Sequence, residues 1–184
     1  YSKTSIGAVP IGQEVAVTAL QLAAAISVVA NGGLYFKPYI IKEITDAHNE
    51  TIKEYKSQCL RRAISSETSQ RLSTILAGVI SSWTGKLAQS QLYAFAGKTG
   101  TAQKIDPNGG YSHSSFFATF IGFAPVEHPR IAIAVIFDEP HPSYYGGVVA
   151  APVFKVVAEE TLKYIEVKEK INNFSTTLAK IDSE

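Results

Sequence analysis

The segment Ala96-Gly97-Lys98-Thr99-Gly100-Thr101 brings together a lysine, two threonine hydroxyls and two glycines. Lys98 offers positive charge, and Thr99 and Thr101 offer donors suited to a carboxylate. The surrounding residues, Tyr93–Lys104, read as a strand. Glycine weakens a strand interior unless another backbone or a ligand has to come close. The composition therefore points to a ligand lying along this strand, where free N–H groups could hold a developing oxyanion. Gly-Lys-Thr also closes a phosphate-binding loop. That motif needs a second glycine at position 92, which is Leu92, and the residues between are Tyr93-Ala-Phe-Ala96. The plainer alternative is an ordinary strand with a chance Lys-Thr-Gly.

No rival site emerges. His48, His113, His128 and His141 are scattered without metal-ligand spacing, so neither a metal nor another cofactor is expected. Cys59 is the one cysteine, which excludes an internal disulfide, and it reads as a small apolar residue. The 184 residues carry a formal charge of +1 and are 46% apolar. They suit one domain or a large part of one. No basic block argues for a nucleic-acid partner. The most apolar stretch, Val15–Ala30, is interrupted by Thr18, Gln21 and Ser27. It is also shorter than the roughly 20 residues a bilayer demands. The start of the chain has no charged segment followed by an apolar run, so no signal peptide is expected within it.

The elements that must position the motif follow from capping and periodicity. Residues 1–16 read as irregular. Thr18-Ala-Leu-Gln21 fits a capping box, and Asn31-Gly32-Gly33 a stop, around a helix apolar on nearly all sides and hence buried. Tyr39–Thr45 and Thr51–Tyr55 read as two short strands around the polar turn Asp46–Glu50. Ser65, Ser66 and Glu67 open a helix with an apolar stripe of Leu72, Ile75, Leu76, Val79 and Ile80. Two strands follow the motif strand, Ser115–Ala124 and Ile131–Phe137. The second is an unbroken apolar run of the kind covered on both faces. Turns at Asp106–Gly110 and Pro125–Pro129 favour antiparallel neighbours. The loop Glu139–Gly147 leads to a last helix with Phe154, Val157, Ala158, Leu162 and Ile165 on its apolar face and Pro152 in its first turn. The expected class is α+β, an antiparallel sheet flanked by helices.

Four blocks then share one resemblance. Ala96-Gly-Lys-Thr-Gly-Thr-Ala-Gln103 is similar to the active-site strand of class B penicillin-binding proteins, members of the serine acyltransferases that also include β-lactamases. Phe120-Ile-Gly-Phe-Ala-Pro125 resembles that family's next strand. Tyr144-Tyr-Gly-Gly-Val-Val-Ala-Ala-Pro-Val-Phe154 resembles its final loop and helix. Val17-Thr-Ala-Leu-Gln-Leu22 with Ala30-Asn-Gly-Gly33 resembles its buried helix. The Tyr-Tyr-Gly-Gly loop looks more like the septal, or division, branch than the elongation branch.

The resemblance implies that residues 1–167 are the C-terminal portion of a transpeptidase domain and 168–184 a polar tail. It implies a serine-type D,D-transpeptidase that crosslinks peptidoglycan stem peptides and is acylated by β-lactams. Lys98 and Thr101 would be catalytic, the second through its backbone N–H at the oxyanion. Thr99, Gly100, Thr101, Tyr111, Tyr144 and Gly146 would bind substrate. No Ser-x-x-Lys or Ser-x-Asn occurs in these residues, so the serine that takes the acyl group would lie in a missing N-terminal half of the domain. The chain alone is expected to be inactive and to self-associate. The parent would sit on the outer side of the inner membrane through an anchor upstream, with division proteins as further partners. The alternative reading is a non-catalytic interaction module of the same family, and a β-lactamase piece is a third.

Overall fold

The computed structural model describes residues 5–9, 12, 15–107 and 109–168. The polar tail expected from 168 onward lies, beyond Lys168, outside them. One helical turn, α1 (Ser5–Ala8), stands where irregular chain was expected. Thr18 caps α2 (Ala19–Ala30) as the capping box requires. Its Oγ1 accepts from Gln21 N at 3.2 Å, and Gln21 Oε1 accepts from Thr18 N at 2.8 Å. The helix is not buried all round. Ile26 and Val28 are fully covered, whereas Leu20 is 62% exposed, because among the described residues only its C-terminal half meets the sheet.

Four short strands follow, two more than expected: β1 (Leu34–Phe36), β2 (Glu43–Thr45), β3 (Thr51–Glu54) and β4 (Cys59–Arg62). β1 pairs with β4 and β2 with β3, both antiparallel. Lys37 N bonds Gln58 O and Tyr55 N bonds Lys42 O, so the two pairs form one long two-stranded arm. Its base is fastened at Gly33, whose carbonyl accepts from Ala63 N at 2.8 Å. Arg62 Nη1 adds a bond to Gly32 O at 2.7 Å. β2, β3 and β4 are exposed along their length.

Ser65 caps α3 (Ser66–Ser82), accepting from Thr68 N at 3.0 Å. Ser69, buried at the foot of α3, donates to Val29 O of α2 at 2.6 Å and ties the two helices. Of the expected stripe, Val79 and Ile80 are buried and Ile75 is 56% exposed.

The main sheet is antiparallel in the order β5 (Ala96–Ile105), β6 (Tyr111–Ala124), β7 (Ile131–Asp138). Thr99 pairs with Phe120 and Phe120 with Val135, so these three share a face. That face, with Ala124, Ile131 and Ile133, receives Phe154, Ala158 and Leu162 of α4 (Gly146–Tyr164). The other face, with Ala96, Ile121, Phe123 and Ala132, receives Ile26 of α2 and Leu76 of α3. The result is three layers, helix on sheet on helices. The apolar run Ile131–Phe137 meets helices on both faces but is only half-buried, with Ile136 37% exposed, and among the described residues β7 is an edge strand and β6 the central one. α4 begins earlier than the position of Pro152 suggested. Pro152 lies within the helix, in its second turn, rather than at its start. Val157 points outward at 42% exposure, and Ala150 and Ala151 are buried instead.

Phe120 and Phe154 are fully buried and meet at 4.7 Å between ring centroids. Burial of such a side chain contributes about 1.5–3 kcal/mol. The contact needs Gly122, where a Cβ would sit 2.5 Å from Ala96 O and 2.8 Å from the Phe154 ring. Gly122→Ala should therefore cost about 1–3 kcal/mol through overpacking. Gly78→Ala on α3, where a Cβ meets nothing, should gain up to about 1 kcal/mol. Thermal denaturation of the two variants beside the parent checks this, and equal melting of Gly122→Ala and parent would refute the close approach. Among the described residues β5 and β7 each leave one edge without a partner strand, and open edges template association. Sedimentation velocity of the isolated chain should show dimers or larger species, and a monomer that melts sharply would count against it.

Candidate active site

The pleat of β5 divides the motif. Successive side chains alternate between faces, so Thr99 and Thr101 stand on the α4 face while Lys98 stands on the face of α2 and α3. Lys98 is exposed, and its Nζ donates to Thr99 O at 2.8 Å. β6 pairs with one edge of β5, and alternate backbone groups of an edge strand point away from its ladder. Only along that open edge can Lys98 and the two threonines reach one ligand.

On the α4 face the hydroxyls are brought to other groups. Thr99 Oγ1 lies 3.0 Å from Thr84 Oγ1. Thr101 Oγ1 accepts from Gly146 N at 3.2 Å. Tyr145 is the N-cap of α4 and makes no side-chain cap bond. The positive end of the helix dipole is thus turned toward the threonines. A hollow of about 380 Å³ opens here between Thr84, Lys86, Thr99, Thr101, Tyr145 and Gly147. Among the described residues no acidic side chain lines it. Leu87 and Val148 line it as well, so its wall is largely apolar, and the threonine hydroxyls beside the positive end of α4 are where an anionic group would be held.

Close backbone packing builds the hollow. A Cβ at Gly146 would collide with the carbonyls of Gly100 and Thr119, so the start of α4 lies directly on the strand pair. A Cβ at Gly147 would meet Thr84 O at 2.5 Å, which brings the Thr84 turn against the helix. Gly100 therefore serves as backbone under Gly146. Tyr144 stacks on Phe116 at 4.2 Å and 10° and donates its hydroxyl to Tyr145 at 3.3 Å. The Tyr145 hydroxyl raises the Tyr144 pKa, so that phenol keeps its proton. Tyr111 stands apart. It pairs with Ile105 at the far end of β5, four residues past Thr101 and roughly 13 Å away at the rise of an extended strand.

Thr84, Lys86 and Tyr145 were not singled out from the sequence. Thr84 lies in the turn after α3 and Lys86 opens the short 3₁₀ helix Lys86–Ala88 that follows, and only the fold brings them to the motif. Tyr145 lay within a quoted block, and its lack of a capping partner becomes visible only in three dimensions. Among the described residues no group of histidine, cysteine, aspartate and glutamate could hold a metal. None of the described helices is long and apolar enough to cross a membrane.

Comparison with known proteins places these features. Residues 1–159 match the model of the penicillin binding protein transpeptidase domain. Stage V sporulation protein D of Bacillus subtilis is 37% identical over 163 residues, covering 88% of this chain and 25% of that protein. Penicillin-binding protein PbpB of Mycolicibacterium smegmatis is 37% identical over 173 residues, 89% of this chain and 26% of that one. The chain thus spans about a quarter of the length of these curated relatives. Crystal structures of penicillin binding protein 3 from Mycobacterium tuberculosis superpose on it. The complex with aztreonam gives a TM-score of 0.83 at 30% identity, over 92% of this chain and 40% of that one. The complex with ampicillin gives 0.84 at 29% identity, over 95% and 40%. The family model spans the hollow, the strand that borders it and most of α4, and the chain belongs to the penicillin-binding protein transpeptidase domain family.

Proposed function

We propose that this chain is the substrate-cradling part of a serine-type peptidoglycan D,D-transpeptidase, residues 1–167 being domain and the rest tail. The observation that carries this is the hollow. Two motif hydroxyls and the start of α4 border one hollow of about 380 Å³ beside β5, with room for the end of a peptide and its carboxylate. In the proposed reaction the donor peptide lies along that edge with its terminal carboxylate at Thr99 and Thr101. A serine from the N-terminal part of the domain attacks the carbonyl of the penultimate residue. The backbone N–H of Thr101 supports the oxyanion, the terminal D-Ala leaves, and an amine of a second strand resolves the acyl-serine. Lys98 supplies positive charge from the opposite face of β5. Gly100 and Gly146 allow the backbones to approach, and Tyr144 walls the cleft. Tyr111 belongs to this scheme only if the peptide extends toward the hairpin tip.

β-Lactams carry the same carboxylate and would acylate the same serine. Complexes of a relative with aztreonam and ampicillin support this. The name of a further relative, a probable peptidoglycan D,D-transpeptidase of Neisseria flavescens, supports a role in cell-wall synthesis, and the Tyr144-Tyr-Gly-Gly loop is the ground for septal division as the branch. We place the parent at the inner membrane, facing outward and anchored by another segment, with division proteins as partners.

Intact mass after incubation with a penicillin tests the reading. The full-length parent should gain one adduct and this chain none, and a parent that stays unmodified would favour a binding module without turnover. Within the parent, Thr101→Val should lower the acylation rate at limiting drug about tenfold, the value of a hydrogen bond to a charged group. Lys98→Met should lower it about a hundredfold or more. Stopped-flow labelling reads both, and rates within twofold of wild type would place the carboxylate elsewhere.

A further inference from the structure

A second lysine of the same strand has a task outside the hollow. Lys104 Nζ lies 2.8 Å from Asp138 Oδ1 and 2.7 Å from Glu139 Oε1. It also sits 4.9 Å from the centroid of the Phe117 ring, where a cation is attracted. Ala102 pairs with Phe117 and Phe117 with Asp138, so the side chain crosses the central strand and joins all three strands at one end of the sheet. The register of β5 shifts between Gln103 and Ile105, and Lys104 falls in that irregularity. Hydrogen bonding to Asp138, then to Glu139, raises the pKa of Lys104, so the ammonium stays charged throughout the neutral range.

Glu139 begins the loop that carries Tyr144 and Tyr145. Its φ is 49°, the left-handed region that a glutamate seldom adopts. Its backbone N–H donates to Phe116 O at 2.9 Å. At the other end of the loop the Tyr144 ring stacks on the Phe116 ring. One residue thus holds the loop at both ends, through its carbonyl and through its ring. Immediately beyond, Gly146 N reaches Thr101 Oγ1.

We infer that Lys104 is a positioning residue, which holds Glu139 so that the loop sets Tyr145 and Gly146 against Thr99 and Thr101. The inference rests on the acyl-transfer reading, since it is substrate or drug binding that the loop would tune. Lys104 touches no ligand in this scheme. It acts from the opposite face of the sheet, through the backbone of the loop. Because the clasp shapes the hollow and leaves the attacking serine alone, its loss should weaken binding far more than it slows the chemical step.

The test uses the full-length parent and a fluorescent penicillin, with acylation resolved into an apparent dissociation constant and a limiting rate. Lys104→Met keeps most of the side-chain length and removes the charge. It should raise the dissociation constant about tenfold, within the range that coupling through packed elements allows, and leave the limiting rate within about twofold. Glu139→Gln should move the dissociation constant in the same direction by less, and Lys104→Arg should restore it. Unchanged binding in Lys104→Met would overturn the inference, as would equal loss in the arginine variant or a fall in the limiting rate with binding intact. A wild-type parent that takes no label would overturn the acyl-transfer reading and the inference with it. A labelled wild type beside an unaffected Lys104→Met would overturn the inference alone.

Discussion

Direct contact between α4 and the β5–β6 pair governs the rest of the structure. At Gly122 the Phe154 ring takes the place a side chain would fill, and at Gly146 the helix start rests on strand carbonyls. Packing this close leaves no room for adjustment, as protein interiors are near crystal density. It fixes the height of the helix over the sheet, and with it the distance from Gly146 N to Thr101 Oγ1. The aromatic cluster of Phe95, Phe120 and Phe154 then fills the space behind. The hollow beside Thr99 and Thr101 is thus a consequence of core packing, formed where two backbones meet and the side chains stop.

The pleat imposes a second constraint. A lysine and two hydroxyls adjacent in sequence are delivered to opposite faces of one strand. A ligand that uses them all must run along the edge, parallel to the backbone, where both faces are within reach. That geometry suits an extended peptide better than a compact metabolite.

Much of this was legible in the chain. The capping box at Thr18 and Gln21 is present as read, because two local hydrogen bonds decide it. The three strands of the main sheet follow the expected order, although β5 starts at Ala96 rather than Tyr93 and β6 at Tyr111 rather than Ser115, since backbone pairing runs on into polar residues near the turn. The misreadings have physical causes. Proline favours a first turn, but α4 begins at Gly146, and the cost of Pro152 is borne inside a helix anchored by its buried face. The all-apolar α2 was read as covered, yet composition does not tell which turns meet a neighbour. β1 and β4 escape a sequence reading because they are three and four residues long and show no alternation of buried and exposed positions. At the site, Lys98, Thr99 and Thr101 were visible as types and spacing. Thr84 and Lys86 were not, since their role depends on a turn folding back over a helix start, which no local pattern encodes.

The arm between Leu34 and Arg62 differs from the rest in how it is attached. β2 and β3 are exposed along their length and pair with each other, and the base is tied at Gly32 and Gly33. An isolated two-stranded ribbon is marginal in water. The arm is therefore a separate cooperative unit with a low opening free energy. Its amides should exchange with solvent long before those of β6, and a pull or a partner at its tip would be absorbed at the glycine base. Load on the arm would thus be taken up at its base before it reached β5.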